Sequence, residues 1–166
     1  MRSGKDTLAK MMVDKYGYSE FKLSTGITEI IEKLNLQEEG KKNRHAYQHI
    51  GQRIRDLDED VWCNYTDRLI KESGKSRIVI SDVRQENELE FFRAQGYAVI
   101  KIVSDEVNRV HRVSESGDEV NWHDFNHETE LSVDKLEYDL LIINNGTLKL
   151  LETKLDLAIR YSNYFS

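Results

Sequence analysis

Apolar residues recur along this chain with the spacings of both helices and strands. An apolar residue at every third or fourth position predicts a helix over 7–15, which Gly17 would end. Apolar and polar residues then alternate over 18–23, as they do in a half-buried strand. Helical spacing resumes at Ile27 after a Ser-Thr-Gly break. The amino-terminal part therefore predicts a helix, a strand and a second helix.

The rest of the chain continues this alternation, after a charged segment over 37–43 that is typical of a loop. Asp58 divides a long helical stretch into two helices and could cap the second of them. Helical spacing is present over 44–73, 86–94 and 147–164. Apolar runs typical of buried strands lie at 77–81, 97–103 and 138–143.

Alternating strands and helices, with strands rich in Ile and Val, predict an α/β fold. In this class a mostly parallel sheet is flanked by helices on both faces, and ligands bind beyond the carboxyl ends of the strands. A chain of 166 residues without an internal repeat or a linker fits one domain over 1–166.

Composition narrows the classes of ligand and the compartment. A net charge of -6, with acidic and basic residues interspersed, argues against binding to a nucleic acid polymer or an anionic membrane. Neither a long apolar run nor a signal peptide is present in the sequence. Cys63 is the sole cysteine, which excludes an intrachain disulfide and favours a reducing compartment. We therefore predict a cytoplasmic protein that holds an anionic ligand locally, and both a monomer and a homodimer remain open.

The sequence Arg-Ser-Gly-Lys-Asp-Thr over 2–7 opens directly into the first predicted helix. Backbone amides at a helix start, the positive end of the helix dipole and the Lys5 ammonium can together hold a phosphate. The full phosphate-loop signature carries an earlier glycine, which would fall two residues before Met1 when counted back from Gly4. We therefore expect the chain to begin within its own loop.

Four further groups of residues are considered together with this motif. They are Gln48-His49-Ile50-Gly51 with Arg55 and Trp62, Ser81-Asp82-Val83-Arg84 with Glu86-Asn87-Glu88, His127-Glu128-Thr129-Glu130, and Asn144-Asn145-Gly146-Thr147. Over nearly its whole length, the chain resembles the deoxynucleoside monophosphate kinase family. The likeness includes Asp6, which stands where the general signature has the Ser or Thr that helps to hold magnesium.

The resemblance implies a fold of the P-loop nucleoside-triphosphate hydrolase type and small-molecule nucleotides as partners. It also implies ATP-dependent phosphorylation of a deoxynucleoside monophosphate to the diphosphate, with Mg²⁺ as the cofactor and ATP as the phosphoryl donor. Asp6 is the predicted metal ligand. The predicted ATP-binding residues are Ser3, Gly4, Lys5, Asp6, Thr7, Asn144 and Gly146.

Asp82 follows a buried apolar run, so it should lie at the carboxyl end of a strand. There it could reach a magnesium-bound water or a substrate hydroxyl, or it could cap the helix that begins near Glu86. Arg84 suits the acceptor phosphate, with a surface ion pair as the alternative. Arg55 is a second candidate for that phosphate, and Arg53 is its rival.

Arg109 and Arg112 are three residues apart, so they share one face of a helix if that stretch is helical. They precede a polar loop, and we predict a lid over about 105–130. Together with Lys5 and Asp82, these two arginines are the predicted catalytic residues. The alternative is that both arginines are ordinary solvated surface residues. His111, His123 and His127 suggest a metal site, but Glu128 and Glu130 do not complete a known metal spacing, so we predict no metal site there.

Two other functions remain open at this point. The chain could be another small-molecule kinase, such as dephospho-coenzyme A kinase, or an inactive nucleotide-binding remnant. The fold of the family places a central strand before the phosphate loop. The strands at 78–81 and 98–103 should therefore flank its place, and they should either close on each other or leave a slot with unpaired backbone groups.

Overall fold

The computed structural model describes residues 3–37, 43–115 and 136–161, and these form an α/β structure. The helices are α1 (Lys5–Tyr16), α2 (Thr25–Lys33), α3 (Arg44–Arg55), α4 (Val61–Ser73), α5 (Glu86–Arg93), α6 (Glu106–Glu115) and α7 (Leu148–Tyr161). The strands are β1 (Ser19–Phe21), β2 (Ile78–Ile80), β3 (Ile100–Val103) and β4 (Leu140–Ile143). Within these three ranges, no helix is both long and apolar enough to cross a bilayer.

The predicted helices are present, but one predicted cap is wrong. The helix α4 begins three residues after Asp58, whose carboxylate accepts a 3.0 Å hydrogen bond from the Asp60 amide in the preceding turn. Side chains do cap other helix starts. The Asn43 side chain accepts from the Ala46 amide at the start of α3, and Gln85 forms a capping box at the start of α5.

The strands run parallel as predicted, and in the part of the chain described they form two short pairs. β1 pairs with β2, and β3 pairs with β4 over its whole length. These are two separate two-stranded sheets, because β2 and β3 do not pair with each other in the described residues. Each strand is shorter than its apolar run, since only residues with a partner across the ladder count as strand.

Buried side chains form two clusters on opposite faces of β2. The first core, which lies among α2, α4 and α5, consists of Leu23, Ile27, Ile31, Trp62, Cys63, Ile70 and Phe92. The second core, which lies among α1, α7 and β4, consists of Leu8, Met12, Ile142, Leu151 and Leu155. Ile78 and Ile80 pack against the first core and Val79 against the second. Successive side chains of a strand point to opposite faces, so β2 has a core on each side.

Between β2 and β3 lies a cavity of about 730 Å³, which we call the slot. Its walls are β2, the first three residues of β3, and side chains of α1, α4 and α5 that include Leu8, Met12, Ile70 and Phe92. The two flanking strands thus leave a space instead of closing on each other. This is the second of the two arrangements expected from the sequence.

Trp62 joins the helices of the first core. Its indole N–H donates a 3.1 Å hydrogen bond to the Gly51 carbonyl, which ties α4 to α3. Its ring also lies against Gly26, where an added Cβ would come within 2.8 Å of a ring carbon, so α2 and α4 can approach this closely only with glycine there. The Gly51 and Trp62 of the motif are therefore packing residues that hold Arg55 at the end of α3 in place.

Candidate functional site

The helix α1 starts at a left-handed glycine. Gly4 has a φ of 106°, and its carbonyl accepts the first helical hydrogen bond, 2.9 Å from the Leu8 amide. The amides of the first turn have no carbonyl acceptor within the helix, and glycine has no side chain to cap them. An anion at this end would meet these N–H groups and the positive end of the helix dipole.

Asn144 fixes the segment before α1. It follows β4 directly, is only 7% exposed, and donates a 2.8 Å hydrogen bond from Nδ2 to the carbonyl of Ser3. A Cβ added at Gly4 would lie 2.3 Å from the same Nδ2. Glycine is thus required at this position by its backbone conformation and by the close approach of Asn144. Sequence reasoning predicted these residues as ATP-binding without predicting their contact.

Arg112 holds Asn144 in turn. Its guanidinium donates to the Asn144 carbonyl at 2.8 Å and to the Ser104 hydroxyl at 3.1 Å. The next residue, Asn145, accepts a 2.9 Å hydrogen bond from the Asp105 amide just before α6. The carboxyl ends of β3 and β4 therefore meet the starts of α1 and α6 in one polar cluster.

Lys5 and Asp6 occupy the first turn of α1. The Lys5 ammonium lies 3.7 Å from the Asp6 carboxylate, and their side chains are 37% and 72% exposed. Both side chains are thus open to solvent at the end of the helix that carries positive charge. Lys5 and Ser3 also border the slot, and Thr7 is half-buried behind them.

Asp82 does not cap α5, so that alternative reading is wrong. Its two carboxylate oxygens accept hydrogen bonds from the backbone amides of Leu23 and Ser24, at 2.8 and 3.0 Å. The carboxylate therefore ties the end of β2 to the start of α2. Each oxygen keeps a lone pair for one more donor, so the predicted contact with a water or a hydroxyl remains compatible with this geometry.

Glu88 contacts the side chain of one candidate acceptor arginine, Arg55, and the backbone amide of the other, Arg84. It is 2% exposed, and one oxygen lies 2.9 Å from Nη2 of Arg55 while the other accepts from the backbone amides of Arg84 and Gln85, at 2.8 and 3.1 Å. Arg55 is 19% exposed, and its Nε has no hydrogen-bond partner among the described residues. The rival Arg53 is exposed and lies 3.4 Å from Asp56. The geometry favours Arg55 over Arg53.

The role of Glu88 was not predicted, although the sequence held a signal for it. Gln85 and Glu88 have the spacing of a capping box, in which the third helical residue reaches back to the cap. A carboxylate that caps its own helix and is buried in addition needs a charged partner, and Arg55 is that partner.

The remaining predicted residues lie on α6 and before α7. Arg109 and Arg112 are both on α6, as predicted. Gly146 packs against Leu150, where a Cβ would lie 2.6 Å from a methyl group, and the Thr147 hydroxyl accepts from the Leu150 amide at 3.3 Å. Thr147 thus caps the start of α7. The ATP contact of Asn144 and Gly146 stays a prediction.

Part of the predicted lid lies outside the described residues. These are the positions of the lid beyond 115, which include His123 and His127. His111 is exposed on α6. Over the ranges that the structure does describe, no group of three or more His, Cys, Asp or Glu side chains could hold a metal ion.

Comparison with known families finds a match. A family model described as deoxynucleotide monophosphate kinase matches residues 44–155, which is well over half of the chain. The matched range contains Arg55, Asp82, Glu88 and Asn144 and begins after the Gly4 segment. A search of curated proteins gave no match.

Proposed function

Because this chain belongs to the deoxynucleotide monophosphate kinase family, we propose that it transfers the terminal phosphoryl group of ATP to a deoxynucleoside monophosphate and releases the diphosphate. Membership of the family implies a kinase with nucleotide substrates, and a P-loop fold is implied with it. The single structural observation that carries the proposal is the contact of Asn144 with Ser3 beside Gly4. It joins a residue of the matched range to the helix start that carries Lys5.

The donor phosphates bind at the start of α1. The first-turn amides of Lys5, Asp6 and Thr7 point toward them, and the Lys5 ammonium neutralises the charge that develops on the migrating phosphoryl group. Ser3 and Gly4 give the backbone the close approach that phosphate oxygens need, since neither residue places a large side chain there. Asn144 and Gly146 lie on the adenine side of the donor.

Magnesium is the cofactor that the family implies, and the donor set fits it. Mg²⁺ binds oxygen ligands, commonly one or two carboxylates together with substrate phosphates, and the 72% exposed Asp6 carboxylate supplies such an oxygen at the helix start. When bound, the ion would neutralise charge on the phosphate oxygens. Asp82, whose oxygens each carry one amide hydrogen bond, orients a water or the acceptor hydroxyl through its remaining lone pairs.

The acceptor phosphate binds between Arg55 and Arg84. Glu88 fixes the backbone of Arg84 and one edge of the Arg55 guanidinium, so both residues are anchored to the same buried carboxylate before the substrate arrives. Arg109 and Arg112 on α6 add positive charge from the predicted lid and enclose the reacting groups. Arg112 also supports Asn144 through the hydrogen bond to its carbonyl.

The test is a kinase assay on the purified chain with ATP and a panel of acceptors. The panel contains the deoxynucleoside monophosphates, their ribonucleotide counterparts and dephospho-coenzyme A. We expect transfer to a deoxynucleoside monophosphate, and Lys5→Ala should lower kcat by roughly 10²–10³-fold, the loss typical of one charge-stabilising group. Lys10→Ala is the matched control, because Lys10 is an exposed lysine of the same helix that pairs with Asp14 at 3.4 Å.

The outcomes separate the alternatives. Transfer only to dephospho-coenzyme A would identify a different small-molecule kinase. ATP binding without transfer to any acceptor would identify a nucleotide-binding protein without turnover. Equal activity of the Lys5 and Lys10 variants would remove the α1 start from the mechanism.

A further inference from the structure

A series of hydrogen bonds, which we call the relay, runs from α3 through the first turn of α2 to the Asp82 carboxylate. Asp82 accepts from the backbone amides of Leu23 and Ser24. The Ser24 carbonyl accepts in turn from the Thr28 amide and from the Thr28 hydroxyl, both at 2.9 Å. The Tyr47 hydroxyl of α3 donates to the Thr28 hydroxyl oxygen at 3.0 Å. The side-chain bonds of the relay are part-buried, which strengthens them relative to bonds at the open surface.

The relay holds Ser24 at both of its backbone groups. Its N–H donates to Asp82, and its carbonyl accepts from Thr28. Within the described residues the Ser24 side chain does not cap α2, so Asp82 and the relay supply the side-chain bonds at this helix start. The Thr28 hydroxyl gives its single proton to Ser24, and its oxygen accepts from Tyr47. Tyr47 therefore completes the set of bonds that orients the amide donors of Asp82.

The helices α2 and α3 approach each other closely where the relay crosses between them. A Cβ added at Gly51 would lie 3.0 Å from a methyl carbon of Ile27. Gly51 comes one turn after Tyr47 on α3, so both residues are on the face that meets α2. The Tyr47 side chain is half-buried and packs against the first core. Tyr47→Phe therefore keeps the ring that packs there and removes the hydroxyl alone.

We propose that Tyr47 is a positioning residue for the phosphoryl transfer, because its hydroxyl acts through Thr28 and Ser24 to hold the Asp82 carboxylate in its working orientation. The inference rests on the proposed function, in which Asp82 orients an oxygen of the reaction. Arg55 lies on the same helix as Tyr47, so α3 sets both the acceptor arginine and the direction of Asp82. The competing interpretation is that the hydroxyl only stabilises the packing of α3 on α2.

Steady-state kinetics of relay variants separate the two interpretations. Tyr47→Phe and Thr28→Val should each lower kcat by about three- to tenfold, the effect of one hydrogen bond, with the KM for ATP changed less than about twofold. Thr28→Ser keeps the hydroxyl and should keep kcat. In an Asp82→Asn background, Tyr47→Phe should have little further effect, because both changes act through one carboxylate. An equal loss of kcat in both backgrounds would overturn the proposal.

Tyr65→Phe is the matched control. Tyr65 is a second tyrosine whose hydroxyl contacts α2, and it donates to the Glu29 carboxylate at 2.5 Å from α4, outside the relay. This variant should keep kcat. A loss of kcat equal to that of Tyr47→Phe would show that any weakened contact with α2 slows the reaction, which would overturn the specific role of Tyr47.

Amide hydrogen exchange tests the relay without any need for catalytic activity. Exchange at the Leu23 and Ser24 amides should be about three- to tenfold faster in Tyr47→Phe and unchanged in Tyr65→Phe. Unchanged exchange in Tyr47→Phe would overturn the relay even in a chain that transfers no phosphoryl group, so failure of the relay and failure of the proposed function are distinguishable. Faster exchange with an unchanged kcat would limit Tyr47 to packing and overturn its positioning role.

Discussion

Asn144 donates its side-chain N–H to the carbonyl of Ser3 across a separation of 141 residues in the chain. The donor is buried, and it approaches Gly4 so closely that no Cβ would fit there. A neutral amide can hold the loop in this way without bringing a negative charge near bound phosphates, which an aspartate at the same position would do. The contact therefore links the end of β4 to the geometry of the α1 start.

Asn144→Ala should raise the KM for ATP by about tenfold, because the loss of one part-buried hydrogen bond to the Ser3 carbonyl costs roughly 1–2 kcal/mol. The acceptor KM should change little. Steady-state kinetics with each substrate varied in turn measure the difference. Asn145→Ala is the control, since that residue holds the Asp105 amide and does not contact Ser3. Equal rises for both substrates would contradict a role on the donor side.

Arg84→Lys should raise the KM for the acceptor more than that for ATP, by about tenfold, since a point charge cannot replace a planar two-pronged donor. The backbone hydrogen bond from residue 84 to Glu88 stays intact in this variant, so the fold should not change. Arg53→Lys, an exposed arginine on α3, is the matched control. A variant with equal effects on both substrates would speak against an acceptor-phosphate role for Arg84.

Glu88→Ala should lower the free energy of unfolding by roughly 3 kcal/mol, the low end for a broken buried ion pair, because it leaves the 19% exposed Arg55 charge without its carboxylate partner. Arg55→Ala should cost less, since Glu88 keeps two backbone amide donors. The double variant should cost less than the sum of the two, and urea unfolding of all four proteins measures this coupling. Strict additivity would mean that the pair contributes no interaction energy.

Cys63 should be protected from alkylation in the folded protein. Burial, with a smaller contribution from the nearby Glu88 carboxylate, raises the pKa of its thiol to about 12. The thiolate is the reactive form, so at pH 8 the native rate with iodoacetamide should be at least about a hundredfold below the rate in urea. Mass spectrometry over time gives both rates. Similar rates in buffer and in urea would show that the first core opens readily around Cys63.

Helices were predicted well because their signal is local. The apolar spacing that predicted a helix over 7–15 belongs to α1, which the structure extends only to Lys5–Tyr16. Strand limits depend on a partner elsewhere in the chain. The apolar run over 97–103 predicted a longer strand than Ile100–Val103, because only those four residues pair with β4.

In the candidate site, too, local features could be predicted and contacts with distant residues could not. Positions after strands and before helices are local features, and they were enough to select Lys5, Asp82 and Asn144 as site residues. Their partners could not, because no local pattern indicates that Asp82 binds amides 58 and 59 residues earlier. The polar bonds that orient a site side chain are set by the tertiary fold, and the sequence around Asp82 does not contain them.

The placement of β2 between two cores bears on how the molecule unfolds. Its three residues divide their side chains between the clusters, and the slot separates it from β3. Unfolding is cooperative when the loss of one cluster destabilises the other. The hydrogen-bonded ladder of β1 and β2 ends at the slot, so it couples the two clusters only weakly. We expect two melting steps in place of one, with the cluster around Trp62 and the cluster around Leu155 each opening at a free energy of its own.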